Sequence, residues 1–231
     1  DLAGQEALLG SSVLIIGLGG LGSPAALYLA AAGVGHLVVN DFDKVDITNL
    51  QRQIIHTTDD LGRAKTASAR QALASLNPEI RITALEGRLS PEALEDAVAG
   101  VDVVLDCSDN LTTRFAVNRA CFRRRKPLVS GAVIRFEGQL AVFTPGAGDS
   151  PCYNCLYAGA DELGESCSQT GVIAPLPGII GSMQALEALK LLAVKSTSSI
   201  GALFLFDAMS LEWQRVRLTR NPECPTCSCG G

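Results

Sequence analysis

The chain has 231 residues, 47% of them hydrophobic, and a formal net charge of −5. That length and apolar content fit one well-filled domain with room for a small appendage. The acidic balance argues against a general nucleic-acid-binding surface, no apolar run approaches the ~18 residues of a membrane span, and residues 1–10 lack the basic start and apolar core of a signal peptide, so a cytoplasmic address is expected.

Gly4 to Leu9 reads as a helix end or an arm. Val13 to Ile16 is a short buried strand that runs into Gly17-Leu-Gly19-Gly20-Leu-Gly22. Gly17, Gly19 and Gly22 have G-x-G-x-x-G spacing. Such a loop brings backbone N–H groups close to phosphate at a helix N-terminus, with NAD as the default ligand. A small-residue helix is expected over 25–32, a turn at 33–35 and a second strand over 36–40. Asp41 follows about twenty residues after the loop, where this kind of fold places a ribose-binding acid; the alternative is a solvated turn acid. Residues 42–58 are polar and aperiodic, longer than an ordinary strand–helix connection, and therefore read as functional. They carry Asn49-Leu-Gln-Arg52-Gln53.

A helix is expected from Gly62 to about Leu76, stopped by Asn77-Pro78. A strand follows over 80–85. The next helix has Ser90 as N-cap and Pro91 in its first turn, and ends at Gly100. Val101 to Asp106 is a buried strand that runs into Cys107-Ser108-Asp109-Asn110 and a helix over about 111–125. Ligands bind at the C-terminal ends of parallel strands, which places Asp109 beside the glycine loop; its other reading is a helix N-cap. Arg123-Arg124-Arg125-Lys126 reads as a solvated helix end that suits the macrodipole. Leu128 to Gly131 is a short strand, and 132–143 an antiparallel pair turned at Glu137-Gly138. Residues 156–174 form a long, low-period segment, mobile or partner-binding, that contains Cys167-Ser-Gln-Thr-Gly171. Ile179 to Leu192 is a helix with broad apolar faces, buried or dimer-facing. Strands close the pattern at 201–206 and 211–218. The fold class is α/β: a Rossmann-like mixed sheet, parallel in its first half and with antiparallel strands in its second, with helices on both faces.

Cys152-Tyr-Asn-Cys155 and Cys224-Pro-Thr-Cys227 are two C-x-x-C pairs. Each can grip one edge of a tetrahedral ion, and together they make a closed zinc site of four cysteines that leaves no position for water. The alternative is two unrelated pairs, one of them redox-active. Cys107 and Cys121 read as packing residues and Cys229 as a spare thiol near the zinc. His36 and His56 belong to no acid–base constellation.

These pieces together resemble the ThiF/MoeB/HesA family, bacterial relatives of ubiquitin-activating enzymes. The resemblance covers essentially the whole chain. It rests on Gly17 to Gly22, Asp41, Asn49 to Gln53, Lys65, Asp106 to Asn110, the cysteine before Gly171 and both C-x-x-C pairs. It implies a single adenylation domain over 1–231, with a nucleotide-binding half (1–131) and a carrier-binding half (132–231) that holds the zinc site and the mobile loop. It implies an enzyme that adenylates the C-terminal Gly-Gly carboxylate of a small ubiquitin-like sulfur-carrier protein with ATP, releasing pyrophosphate, for molybdopterin or thiamine biosynthesis. Arg52 and Lys65 would contact the phosphates, Asp109 would hold Mg²⁺, and Asp41 would bind ribose. Gly17, Gly19, Gly20, Gly22, Asp43, Gln53 and Asn110 would complete the nucleotide site. Asn49 would orient phosphate or its neighbouring side chains.

Cys167 matches a cysteine that, in thiamine-type members, links covalently to the carrier during sulfur transfer. Family members usually carry an N-terminal arm whose arginine completes the neighbouring subunit's ATP site. The sequence starts at Asp1, inside or after that arm. It ends at Gly231 without a rhodanese-like domain, so a separate sulfur donor such as a cysteine desulfurase or rhodanese is expected, together with a homodimer. Residues 128–139 and 174–176 look more like the molybdopterin-type members. The remaining readings are an NAD(P)-dependent oxidoreductase, supported by the glycine loop and Asp41 alone, a non-catalytic nucleotide-binding carrier scaffold, and a family offshoot that acts on a peptide or a tRNA base.

Overall fold

The computed structural model describes residues 1–146, 150–157 and 171–228. Its frame is an eight-stranded sheet. In chain order the strands are β1 (Ser12–Ile16), β2 (His36–Asp41), β3 (Arg81–Glu86), β4 (Val103–Asp106), β5 (Leu128–Ile134), β6 (Glu137–Phe143), β7 (Ala202–Asp207) and β8 (Glu212–Arg217). Their order across the sheet is β3-β2-β1-β4-β5-β6-β7-β8. The first five run parallel and β5 to β8 antiparallel. This is the mixed sheet expected from the sequence.

The parallel strands are apolar on both faces because helices cover both. Val13 and Ile15 of β1 point one way, into a core with Leu37, Val39, Leu105 and Val129. That face is covered by α1 (Leu2–Leu9), α2 (Gly22–Ala31), α3 (Lys65–Leu76) and a long helix over Pro175–Ala193. Leu14 and Ile16 point the other way, with Val38, Val104, Leu128 and Phe143. There they meet α4 (Pro91–Ala99), α5 (Leu111–Arg124) and the short α6 (Tyr153–Leu156). The long helix over Pro175–Ala193 is α7. Alternation along each strand, with period two, sorts the side chains between the two cores.

Several local features follow the sequence closely. Ser90 caps α4 by accepting from Ala93 N at 3.2 Å, with Pro91 at the first turn. Arg123 and Arg124, at the end of α5, pair with Glu95 of α4. Other features differ. The hairpin between β5 and β6 turns at Arg135-Phe136, not at Glu137-Gly138, because Ile134 pairs with Glu137 and residues 128–134 form one strand. Arg135 takes the left-handed conformation that a two-residue turn requires (φ 52°). Helix α2 begins at Gly22, three residues before the expected start, since the glycine loop winds directly into it. Helix α7 begins at Pro175. Among the described residues, no helix is long and apolar enough to cross a membrane.

The apolar α7 buries two polar side chains, Gln184 and Glu187, and the first reaches the sheet. Gln184 is fully buried and donates to Asp106 O at 2.8 Å and Val129 O at 3.2 Å. Those two carbonyls lie on adjacent parallel strands, at the C-terminal end of β4 and near the start of β5. The amide therefore pins α7 beneath the sheet edge that carries the functional residues.

Candidate active site

In an open parallel sheet, ligands bind where the strand order reverses, at the C-terminal ends of the strands. Here that point lies between β1 and β4. A cleft of about 440 Å³ opens there, lined by the glycine loop, the ends of β2 and β4, the connection after β2 and the first turn of α5. It brings together Gly17, Gly19, Gly20, Asp41, Asp43, Asn49, Arg52, Gln53, Lys65, Asp109 and Asn110. Gly22 lies just behind the lining, at the start of α2.

The glycine loop has a steric basis. Gly17 has φ +93°, and a Cβ there would sit 2.7 Å from Cys107 O. A Cβ on Gly22 would sit 1.9 Å from Gly17 O. Both distances are far inside van der Waals contact, so the loop closes only with hydrogen at these two positions. Gly22→Ala should therefore displace the loop and abolish nucleotide binding, measurable by calorimetric titration with ATP. Unchanged affinity would contradict this account. No side chain caps α2, but Ser23 N donates to Gly19 O at 2.9 Å and Pro24 has no N–H, so amides offered to an anion in the cleft come from the glycine loop up to Gly22.

The loop is braced from below. Asp41 Oδ2 accepts from Leu18 N at 2.7 Å, and Oδ1 accepts from Asp43 N at 2.8 Å. Asp41 therefore shapes the loop as well as lining the cleft. Leu18 O lies 3.1 Å from His56 Nε2, and His56 Nδ1 lies 2.7 Å from Ser68 Oγ. Burial lowers the His56 pKa below the ordinary histidine value, so the ring is neutral. A carbonyl can only accept, so Nε2 carries the proton and Nδ1 accepts from Ser68. This places His56 as a strut beneath the loop, in keeping with its lack of an acid–base partner in the sequence.

The polar connection after β2 supplies two cations. Lys65 opens α3 and is 5% exposed, and its Nζ donates to Asp43 Oδ2 at 3.0 Å. Arg52 is half-buried and reaches Thr48 O at 3.4 Å and Asn49 Oδ1 at 3.3 Å. These long contacts hold it loosely. Asn49 Oδ1 also accepts from Gln53 Nε2 at 2.9 Å. Asn49 Oδ1 is thus shared by both neighbouring side chains. Gln53 is 4% exposed, and its Oε1 has no protein hydrogen-bond partner.

Asp109 also lines the cleft. The cap of α5 is Asn110, which accepts from Thr113 N at 2.9 Å, so the N-cap reading of Asp109 does not hold. Asp109 is exposed and accepts only from Asn110 Nδ2, at 3.4 Å. Its carboxylate is therefore uncommitted and lines the same cleft as the two cations. That arrangement fits a divalent ion shared with phosphate oxygens. Cys107 and Cys121 are buried, and burial pushes both thiols far above the ordinary range. They are packing residues, as expected. Cys167 and Cys229 lie outside the described residues.

Two cleft residues escaped the sequence reading. Arg88 stacks its guanidinium over the Phe42 ring, 3.7 Å from the centroid. It follows β3, so its place at a strand's C-terminal end was the available signal. Arg114, in the first turn of α5, also lines the cleft.

The cysteine cluster lies about α6. Cys152 and Cys224 sulfurs are 3.5 Å apart, Cys155 and Cys227 3.3 Å, and Cys152 and Cys155 3.9 Å. All four lie within 4.8 Å of one another. A disulfide needs about 2.0 Å, whereas a tetrahedral ion with Zn–S of about 2.3 Å separates its sulfurs by about 3.8 Å. Cys155 Sγ also accepts from the amides of Cys152 and Asn221, at 3.5 and 3.4 Å. Such donors suit thiolates. The two C-x-x-C pairs therefore form one cluster with the donor set and spacing of a structural zinc site.

Comparison with known proteins agrees with this geometry. The model of the ThiF family matches residues 1–226. The chain is 51% identical over 226 residues to the sulfur carrier protein ThiS adenylyltransferase of Escherichia coli, covering 98% of this chain and 89% of that protein. It is 47% identical over 227 residues to the molybdopterin-synthase adenylyltransferase of Salmonella typhimurium, covering 98% and 91%. The archaeal SAMP-activating enzyme E1 of Haloferax volcanii is 45% identical over 230 residues, covering 99% and 84%. Among solved structures, E. coli MccB crystallised with ATP superposes with a TM-score of 0.85 at 23% identity, covering 98% of this chain and 68% of that one, a likeness of fold. With its family model, its relatives and its cleft in agreement, the chain belongs to the ThiF family.

Proposed function

We propose that this protein is an adenylyltransferase that activates the C-terminal carboxylate of a small ubiquitin-like sulfur-carrier protein with ATP. The observation that carries this reading is the convergence of the glycine cradle, Arg52, Lys65 and Asp109 on one cleft at the sheet's switch point. The reaction is attack of a carboxylate oxygen on the α-phosphorus of ATP. A new P–O bond forms to the carrier, and the bond to the bridging oxygen breaks. Pyrophosphate leaves with the electron pair, and an acyl-adenylate remains.

An anion attacks a polyanion in this step. The main barrier is electrostatic repulsion, so the residues needed are charge neutralisers and positioners more than proton donors. Arg52, held only by long contacts, can swing onto the phosphates. Lys65 is desolvated, which strengthens its field at the cleft, and Asp43 fixes its direction. Gly17, Gly19, Gly20 and Gly22 let the nucleotide sit low, with the loop's own amides toward phosphate. Asp41 keeps lone pairs for ribose hydroxyls. Asn49 and Gln53 set the placement of Arg52, and Asn110 fixes the turn that presents Asp109. Asp109 would hold Mg²⁺, which when bound neutralises phosphate charge. The four cysteines would hold Zn²⁺ as a fold-stabilising ion.

In this reading residues 1–131 bind nucleotide and 132–231 receive the carrier. Cys167 would serve in sulfur transfer, supplied by a separate donor of cysteine desulfurase or rhodanese type. A homodimer is supported by exposed apolar side chains on α1, α2 and α7, among them Leu2, Leu9, Tyr28 and Leu186. The test is ATP–pyrophosphate exchange with purified carriers of the molybdopterin and thiamine types. Carrier-dependent exchange is expected with at least one. Carrier and ATP binding without exchange would instead identify a scaffold, and hydride transfer with a bound nicotinamide an oxidoreductase.

A further inference from the structure

Arg114 is 5% exposed, one turn into α5. Its guanidinium donates to Ser108 O and, at 3.4 Å, to Ser130 Oγ of β5. It lies 3.9 Å from Asp106 Oδ2, on a carboxylate that is itself fully buried and accepts through Oδ1 from Ser108 N and Oγ. Its charge also acts on the Tyr153 hydroxyl.

Tyr153 lies in the Cys152-Tyr-Asn-Cys155 turn and is 4% exposed. Its amide donates to Asn118 Oδ1 of α5 at 2.9 Å, and its ring packs edge-on against Phe115 and Phe143. The residue before it, Cys152, is a member of the sulfur cluster. A buried path therefore runs from the cysteines through Tyr153 and Arg114 to the carbonyl of Ser108, which precedes Asp109.

A buried guanidinium is stable only with its charge balanced and its donors engaged. Asp106 supplies the balance, and the partners lie on the turn after β4, on β5 and on α6. The rigid fork of Arg114 fixes these three pieces relative to one another, which a lysine could not do. Asp109 has no comparable restraint of its own. Its position is inherited from the Ser108 carbonyl.

The geometry points to Arg114 as a positioning residue for the divalent-cation site, with Tyr153 tying that site to the cysteine cluster. This inference rests on the reading that Asp109 holds the nucleotide's cation. It is tested with Arg114→Lys, which keeps the charge, and Tyr153→Phe, which keeps the ring and both cysteines and removes only the hydroxyl. Asp109→Asn is the reference. Three quantities are measured: zinc content per chain, ATP affinity by calorimetry in metal-free buffer, and Mn²⁺ binding in the presence of ATP by electron paramagnetic resonance.

Both variants should keep parental zinc content and metal-free ATP affinity, yet bind Mn²⁺ with ATP about 10-fold or more weakly, the scale typical of losing an outer-shell partner. If Arg114→Lys fails to fold, Tyr153→Phe carries the test. Equal weakening with and without metal would mean a merely structural role and overturn the inference. Parental Mn²⁺ binding in Arg114→Lys and Tyr153→Phe, with weakened binding in Asp109→Asn, would also overturn it while leaving Asp109's role intact. Parental binding in Asp109→Asn would remove the underlying reading itself.

Discussion

Arg52→Ala and Lys65→Ala should each lower carrier-dependent ATP–pyrophosphate exchange by about 10²- to 10³-fold, with little change in thermal stability. The magnitude is that of removing one preorganised group aimed at developing charge, about 2.7–4 kcal/mol. The separation from stability follows from the contacts. Arg52 makes only long hydrogen bonds, at 3.3 and 3.4 Å, to groups near the surface. Losing them leaves no buried polar group unpaired. Lys65 is buried, but its partner Asp43 is half-exposed and can return to water. Lys65→Ala even relieves the desolvation of a buried ammonium. The two substitutions should also differ from each other. Lys65 is fixed in place and should act on the transition state, lowering kcat. Arg52 is loosely held and should affect both ATP affinity and rate. Exchange kinetics at varied ATP, together with melting curves, check this. Loss of exchange that tracks loss of fold would return both residues to surface or structural roles.

The second large effect concerns the cysteine cluster. The purified chain should contain about one zinc per chain, and Cys152→Ser should lose it and melt at a markedly lower temperature. Structural zinc contributes apparent binding energies of about 10–16 kcal/mol in small zinc-dependent folds. Even a third of that, in a chain of this size, corresponds to a drop of about 10 °C. The location of the cluster explains why the loss would spread. Cys152, Cys224 and Cys227 are almost fully buried, and Phe122 of α5 packs against them. The cluster joins residues far apart in sequence, 152–155 to 224–227, and so clips the chain after β8 back onto α6. A protein free of zinc that melts like the parent would sink this prediction. Elemental analysis and calorimetry on the same preparation decide it.

The glycine loop, the change from parallel to antiparallel strands and the cysteine pairs were legible because each depends on local spacing. Gly17 and Gly22 are constrained by backbone atoms within a few residues or on the adjacent strand end, so their identity survives in sequence. Two C-x-x-C pairs suit a single tetrahedral ion whatever lies between them. The Asn49 to Gln53 run stood out because a polar, aperiodic stretch is uncommon between a buried strand and a helix. The hairpin at Arg135-Phe136 was misplaced because glycine marks turns in sequence, whereas Gly138 sits inside β6. A Cβ there would meet Ile180 of α7 at 2.6 Å, so that glycine serves packing instead.

Other features were decided only by the tertiary structure. Asp109 and Asn110 are neighbours with similar capping ability, and only the backbone entering α5 assigns the cap to Asn110 and leaves Asp109 for the cleft. Arg88 and Phe42 come from different connections and meet at the cleft rim. Arg114 reads in sequence as one more polar residue on a helix, and its burial among Asp106, Ser108, Ser130 and Tyr153 depends on three elements closing around it. The sequence by itself determined the class of chemistry, because the residue types and spacings that hold phosphate and a tetrahedral ion are local. The folded chain decided which charges are free to act and which are spent on structure, because burial and hydrogen-bond partners are properties of packing between distant segments.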